Sequence, residues 1–238
     1  MNLRHGIRNA LLSALILLVF SACQSPQSIE VPTEQELELA RQGVKEIALL
    51  AARNAMSSLP SHIEGLSEGE LFSDDLLTSI AQHREKAGIP KRLAGLEDAL
   101  KESLIRFVSE NVESADSLIV VNDLSDPFRL IEGDSDAVTR YMSTFFLPIV
   151  SDSVTDFLSS DQQVAEAAES FFSILNSIRR IEAFREGAPT PQPLKEISYT
   201  QAINSILSRL AQEMGKEEGI IRSLAIDYES PAIRLFAL

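Results

Sequence analysis

The strongest constraint on this chain is a repeated punctuation: a polar capping residue, an apolar stripe at three- and four-residue steps, then glycine or proline. Thr33-Glu34-Gln35-Glu36 has the form of a capping box, a hydroxyl at the N-cap and a carboxylate three residues later. Leu37, Ala40, Val44, Ile47, Ala51 and Ala55 then recur along one face, with Pro60 as the expected stop. Ser73-Asp74-Asp75 opens a second segment carrying Leu76, Leu77 and Ile80, with Gly88 and Pro90 as its expected stop. Leu96, Leu100, Leu104, Phe107 and Val108 form a third stripe, running to about Glu113.

The same grammar continues to the last residues. Leu118–Val121 is an apolar run with no second strand nearby to pair with, which favours helix. Ser125-Asp126-Pro127 opens a short helix ending at Gly133, and Asp134-Ser135-Asp136 opens a longer one with Tyr141, Phe145 and Phe146. Pro148 lies inside the latter and is expected to kink it. Ser160 or Asp161 starts the next helix, with Val164, Ala168, Phe171, Phe172, Leu175, Ile178 and Ile181 expected inward and Gly187 closing it. Residues 188–193 hold three prolines and read as a loop. Ser198 opens a helix carrying Ala202, Ile206, Leu210 and Met214, with Ile220, Ile221 and Leu224 beyond Gly215 and Gly219. Ser230-Pro231 caps a last turn with Ile233, Phe236 and Leu238. With no linker or internal repeat, the expectation is one all-α domain, a single multi-helix bundle over residues 33–238.

The first residues follow different rules. Arg4 and Arg8 precede an apolar run from Ala10 to Phe20 broken only by Ser13, and small residues follow. That is a secretory leader, too short for a comfortable bilayer span of roughly 20 residues. The single cysteine falls at the cut: Phe20-Ser21-Ala22-Cys23 looks like a lipobox, with Phe20 in place of the usual leucine. Residues 1–22 are therefore read as signal peptide, Cys23 as the lipid attachment, and 23–32, with two prolines, as a short tether. The competing readings are an ordinary cut after Ala22 and an uncleaved anchor. Gln24, rather than Asp, after the cysteine points to an outer-membrane address facing the periplasm.

Charge and composition narrow the chemistry. The formal net charge is −14, and the leader takes away two arginines and no acid, so the mature chain is more acidic still. Phosphate-backbone binding requires clustered Lys and Arg, so nucleic acid is not an expected partner. One cysteine cannot form an intrachain disulfide or a Cys-rich zinc site. Arg179-Arg180 and Lys216 read as isolated basic points in acidic surroundings. Gly65-Leu66-Ser67-Glu68-Gly69 matches the hydrolase elbow G-x-S-x-G but lacks the strand before it, and His83 is the one later histidine. It reads as an inter-helix loop. His62 and His83 lack helical ligand spacing and read as surface or boundary residues. The acidic knot Glu132, Asp134 and Asp136 fails the calcium-loop pattern at Val138 and suits a helix N-terminus. No metal and no cofactor is expected.

Asp126-Pro127-Phe128-Arg129-Leu130-Ile131-Glu132-Gly133, followed by Asp136-Ala137-Val138-Thr139-Arg140-Tyr141, resembles a bacterial family of envelope proteins and lipoproteins defined only as a domain of unknown function. Leu147-Pro148-Ile149-Val150 is similar to that family's Lys-Pro-Ile-Val step. Tyr199-Thr200-Gln201 and Glu217-Glu218-Gly219-Ile220-Ile221-Arg222 resemble its closing helices. Where the family carries Asn-Arg-Ala-Ala-Glu, this chain has Lys101-Glu102-Ser103-Leu104-Ile105. The resemblance implies an all-helical fold and an envelope location, and no activity. Thr139, Tyr141, Glu218 and Arg222 are the polar residues of these motifs on otherwise apolar helices. The expectation is that some of them face one internal polar site, against the alternative of packing hydrogen bonds or an ion pair. In function, the sequence suggests an interaction or ligand-binding module of the cell envelope, partnered by the membrane and by an unknown envelope protein. The alternatives are a binder of lipid or another apolar molecule between helices and, behind it, a hydrolase using Ser67.

Overall fold

Apolar stripes at helical spacing can be buried only against one another, and helix packing is what the chain adopts. A computed structural model describes residues 32–112 and 124–237. Among them are nine α-helices, one 3₁₀ turn and no strand. In order they are α1 (Glu34–Glu64), α2 (Glu68–Leu71), α3 (Asp74–His83), α4 (Ile89–Asn111) and α5 (Pro127–Ile131). Then come α6 (Ala137–Ser160), α7 (Gln162–Glu186), α8 (Thr200–Ser223), the 3₁₀ turn Ala225–Asp227 and α9 (Pro231–Arg234). The leader, Cys23 and the tether as far as Val31 lie outside the described residues, as do the run Leu118–Val121 and Leu238. No described helix is long and apolar enough to cross a membrane.

The capping box at Thr33 is formed: the Glu36 carboxylate accepts from the Thr33 amide at 2.7 Å and from its hydroxyl at 2.8 Å. The described residues from Leu37 onward group into one compact unit, whose core joins every long helix. Within it α4 pairs with α7 and α6 with α8. α6 and α8 run antiparallel, since Gly215 faces Asp136 and Thr139 while Ile203 shares a cleft with Thr155. α1 lays an alanine-rich stripe into the core from Ala40 to Ile63. Gly43 is required there, because a Cβ would stand 2.5 Å from the Ala232 carbonyl oxygen and 3.1 Å from the Phe236 ring. The C-terminal turn is thereby seated on α1.

Several punctuation marks act differently from the expectation. Pro60 does not end α1, which continues to Glu64 because Leu59 and Ile63 are both buried on the same stripe. Pro90 does not stop a helix; it sits in the first turn of α4, where its missing N–H costs nothing. Gly88 (φ 89°) supplies the left-handed turn that precedes it. α8 begins at Thr200 rather than at Ser198 and runs through Gly215 and Gly219 without a break. Pro148, by contrast, lies inside α6 and does not end it, as expected. Ile181, expected inward, is 53% exposed, because the α3–α4 connection packs against α7 on the side of Ile174 and Glu182 and leaves Ile181 uncovered. Asp161, Gly187 and Ser230 cap as expected, Gly187 at φ 65°.

Candidate functional site

A helix leaves amides unpaired at its start and carbonyls at its end, and in a packed interior these need partners. The break between α5 and α6 places both kinds of end side by side, and one pair of side chains on α8 satisfies them. Glu218 is 0% exposed. Its carboxylate accepts from the Val138 amide at 3.0 Å and the Thr139 amide at 2.7 Å, in the first turn of α6. One turn further along α8, Arg222 donates through Nε and Nη2 to Glu218 at 2.9 and 2.7 Å. It also donates to the Ile131 carbonyl at 2.9 Å and the Leu130 carbonyl at 2.7 Å, at the end of α5. The Phe236 ring lies under the guanidinium, 4.7 Å from its carbon to the ring centroid. The signs match the helix dipoles, anion at a helix start and cation at a helix end.

Three of the four residues picked out by the motifs thus meet, Thr139 through its backbone. Tyr141 does not join them. It is half-buried with its ring 5.4 Å from Phe145, and lines a separate cleft of about 640 Å³ with Leu124, Arg129 and Arg140. The acidic knot is likewise outside the clasp: Asp134 and Asp136 pair with Arg140 at 2.7 and 3.3 Å, which raises the Arg140 pKa, chiefly through Asp134.

A second buried carboxylate, Asp161, caps α7 by accepting from the Gln163 amide at 2.9 Å and the Val164 amide at 3.4 Å. The Ser103 hydroxyl of α4 donates to it, and Arg106 pairs with it. Burial on its own would raise the Asp161 pKa. The bonds from Ser103 and the two amides, with the charge of Arg106, outweigh that and lower it. Ser103 lies in the segment where the family resemblance fails, and nothing in its local sequence marks it as a partner for Asp161.

The remaining expected residues fall into place singly. The Ser67 hydroxyl and amide donate to Glu70 at 2.7 and 3.0 Å, so Ser67 opens α2. His83 is not a boundary residue but buried, with Nδ1 3.0 Å from Glu182 yet out of line for a hydrogen bond. His62 shares a polar depression of about 390 Å³ with Glu70, Ser205 and Arg209. Among the described residues no His, Cys, Asp and Glu gather into a group that could hold a metal ion.

A concavity with apolar side chains in its wall lies between α6, α7, α8 and the segment 188–199. It measures about 720 Å³ and is lined by Thr155, Phe172, Leu194, Ile197, Tyr199 and Ile203 among others. The segment is an extended strap rather than a free loop. Asn176 brackets Leu194, donating to its carbonyl at 2.7 Å and accepting from its amide at 2.9 Å, and Arg179 donates to the Gln192 carbonyl at 3.1 Å. Pro191, Leu194 and Ile197 turn inward at three-residue steps. Burial, then the charge of Asp161, raises the Tyr199 pKa above the ordinary phenol value.

Fold and site together define an all-helical bundle whose buried carboxylates tie helix ends and which carries a partly apolar cleft open to solvent. No family model, no curated protein and no solved structure matches the chain.

Proposed function

We propose that this chain is a lipid-anchored protein of the bacterial envelope, held through Cys23 on the periplasmic face of the outer membrane. In this reading its helical domain acts as an interaction or ligand-binding module, without catalysis. The observation that carries the binding role is the cleft of about 720 Å³ with Phe172, Leu194 and Ile203 in its wall, a size and polarity suited to a small apolar-bodied molecule. The engagement of the buried acids supports a non-catalytic role: Glu218 and Asp161 accept from backbone amides and paired side chains on their free lone pairs. Ser67, the candidate nucleophile of the hydrolase alternative, is engaged with Glu70. The leader, the Cys23 position and the family resemblance support the address.

Metabolic labelling with an alkyne fatty acid in a diderm host tests the anchor. The wild-type chain is expected to carry label and to fractionate with outer membrane, and Cys23→Ala to lose both. An unlabelled, freely soluble wild-type chain overturns the address. For the cleft, native mass spectrometry of protein from its own host is expected to show a bound apolar molecule that Ile203→Glu releases. A bare protein overturns the apolar-ligand alternative and leaves a macromolecular partner, sought by cross-linking in the intact envelope.

A further inference from the structure

Arg179 and Arg180 are not isolated. The left-handed turn at Gly88 presses the α3–α4 connection against α7, so closely that a Cβ on Gly88 would stand 2.7 Å from Ile174. Lys86 reaches Glu182 at 2.8 Å, and His83 approaches the same carboxylate. Two basic stretches, residues 84–92 and 179–186, are thereby folded onto one pole of the bundle. Together they carry Arg84, Lys86, Lys91, Arg92, Arg179, Arg180 and Arg185. The acids among them are Glu85, Glu182 and Glu186, and Glu68 joins from α2 by pairing with Arg84. In a chain of net charge −14 this pole has a surplus of cations. Lys91, Arg92, Arg180 and Arg185 are exposed, while Arg179 is partly spent on the strap.

The same pole carries the most exposed large apolar side chain among the described residues. Phe184 is 86% exposed and Ile181 53%, three residues apart and so on one face of α7. An aromatic and an aliphatic side chain projecting between arginines is the composition of a surface that lies in the headgroup region of a bilayer. The chain as a whole is acidic and is repelled by anionic lipid, so a cationic end is the favoured side of approach.

We propose that the α7 C-terminal pole is a membrane-docking surface for anionic phospholipid. Phe184 and Ile181 enter the boundary between headgroups and acyl chains, and Lys91, Arg92, Arg180 and Arg185 meet the lipid phosphates. The inference rests on the reading of Cys23 only for bringing the domain to the bilayer; the pole then sets which way the domain faces. The charge asymmetry is what selects a lipid surface over an apolar protein groove.

The chain contains no tryptophan, so Phe184→Trp introduces a single fluorescent reporter at a position too exposed to disturb folding. The full chain with this substitution is mixed with vesicles of phosphatidylcholine alone or with about one third phosphatidylglycerol. A blue-shifted emission, quenched by brominated acyl chains, is expected only with phosphatidylglycerol. Arg180→Gln with Arg185→Gln should weaken that response roughly 30-fold, and about 1 M salt should abolish it. A reporter placed instead by Ile226→Trp, a position 70% exposed, is expected to stay in water. Equal emission with both lipids, a response indifferent to the arginines, or an equal shift at position 226 overturns the proposal. A chain that carries the acyl label but whose reporter ignores phosphatidylglycerol refutes docking and leaves the anchor standing. A chain without label whose reporter responds does the reverse.

Discussion

The two buried carboxylates solve one problem in different ways. Glu218 draws its cation from its own helix, one turn away, and both partners are buried, Arg222 retaining only 9% side-chain exposure. Asp161 draws its cation from another helix, and Arg106 is 42% exposed. The Glu218 pair also serves two helix ends, the start of α6 and the end of α5, whereas Asp161 serves one. The difference teaches that an ion pair is as important as the backbone groups it satisfies. At the Glu218 clasp, attraction between the charges is secondary to the four main-chain groups that take these side chains as partners.

The largest expected effect tests that statement directly. Glu218→Ala should destabilise by about 3–5 kcal/mol in urea melts, the usual result of leaving a buried cation unpaired. Replacing both Glu218 and Arg222 by Met restores neutrality, and for a plain buried pair would be close to neutral. Here it should still cost about 2 kcal/mol or more, because the amides of Val138 and Thr139 and the carbonyls of Leu130 and Ile131 lose their partners. A double variant as stable as wild type would break the comparison.

At the other clasp the effects descend. Asp161→Asn should cost about 2 kcal/mol at neutral pH, and its penalty should shrink on acidification. The folded carboxyl lies below its unfolded value, so its contribution is present above the unfolded pKa of about 4. It is lost as the pH falls through the folded pKa. Wild type and Asp161→Asn melts should therefore converge below about pH 4; parallel curves would remove the linkage. Ser103→Ala, which deletes one hydrogen bond to that carboxylate, should cost about 1–2 kcal/mol by the same measurement. Arg106→Gln is expected to cost least, under about 1 kcal/mol and less again in salt, since its side chain is 42% exposed and the pair is partly screened. A penalty as large as that of Glu218→Ala would mean that exposure is not what separates the two sites.

The helical class was legible because each stripe and cap is local information, and Thr33, Asp161 and Ser230 cap where their residue types predict. Partners were not legible. Glu218 and Arg222 stand out as polar positions on an apolar helix, but nothing near them names Leu130 or Val138, whose free backbone groups exist only because α5 and α6 break there. Ser103 gave no signal, since a serine on a buried stripe has meaning only once Asp161 lies opposite. The stops at Pro60 and Pro90 failed because proline's cost depends on its place in the helix and on the apolar contacts beyond it. Ile181 failed because periodicity reports which residues share a face, not whether anything is packed against that face. Arg179 and Arg180 looked isolated because their basic neighbours come from a turn about ninety residues earlier, an adjacency only the folded chain supplies.

Gly43 has a consequence for the order in which the chain can be finished. The first helix carries a notch that only the last turn fills, with Ala232 and Phe236 entering where a side chain would otherwise stand. A polypeptide that emerges amino end first must therefore leave the Gly43 notch uncovered until Ala232 and Phe236 have been made. Closing that notch joins two segments made far apart in the order of synthesis, and a chain that halts before Ala232 leaves Gly43 without its cover.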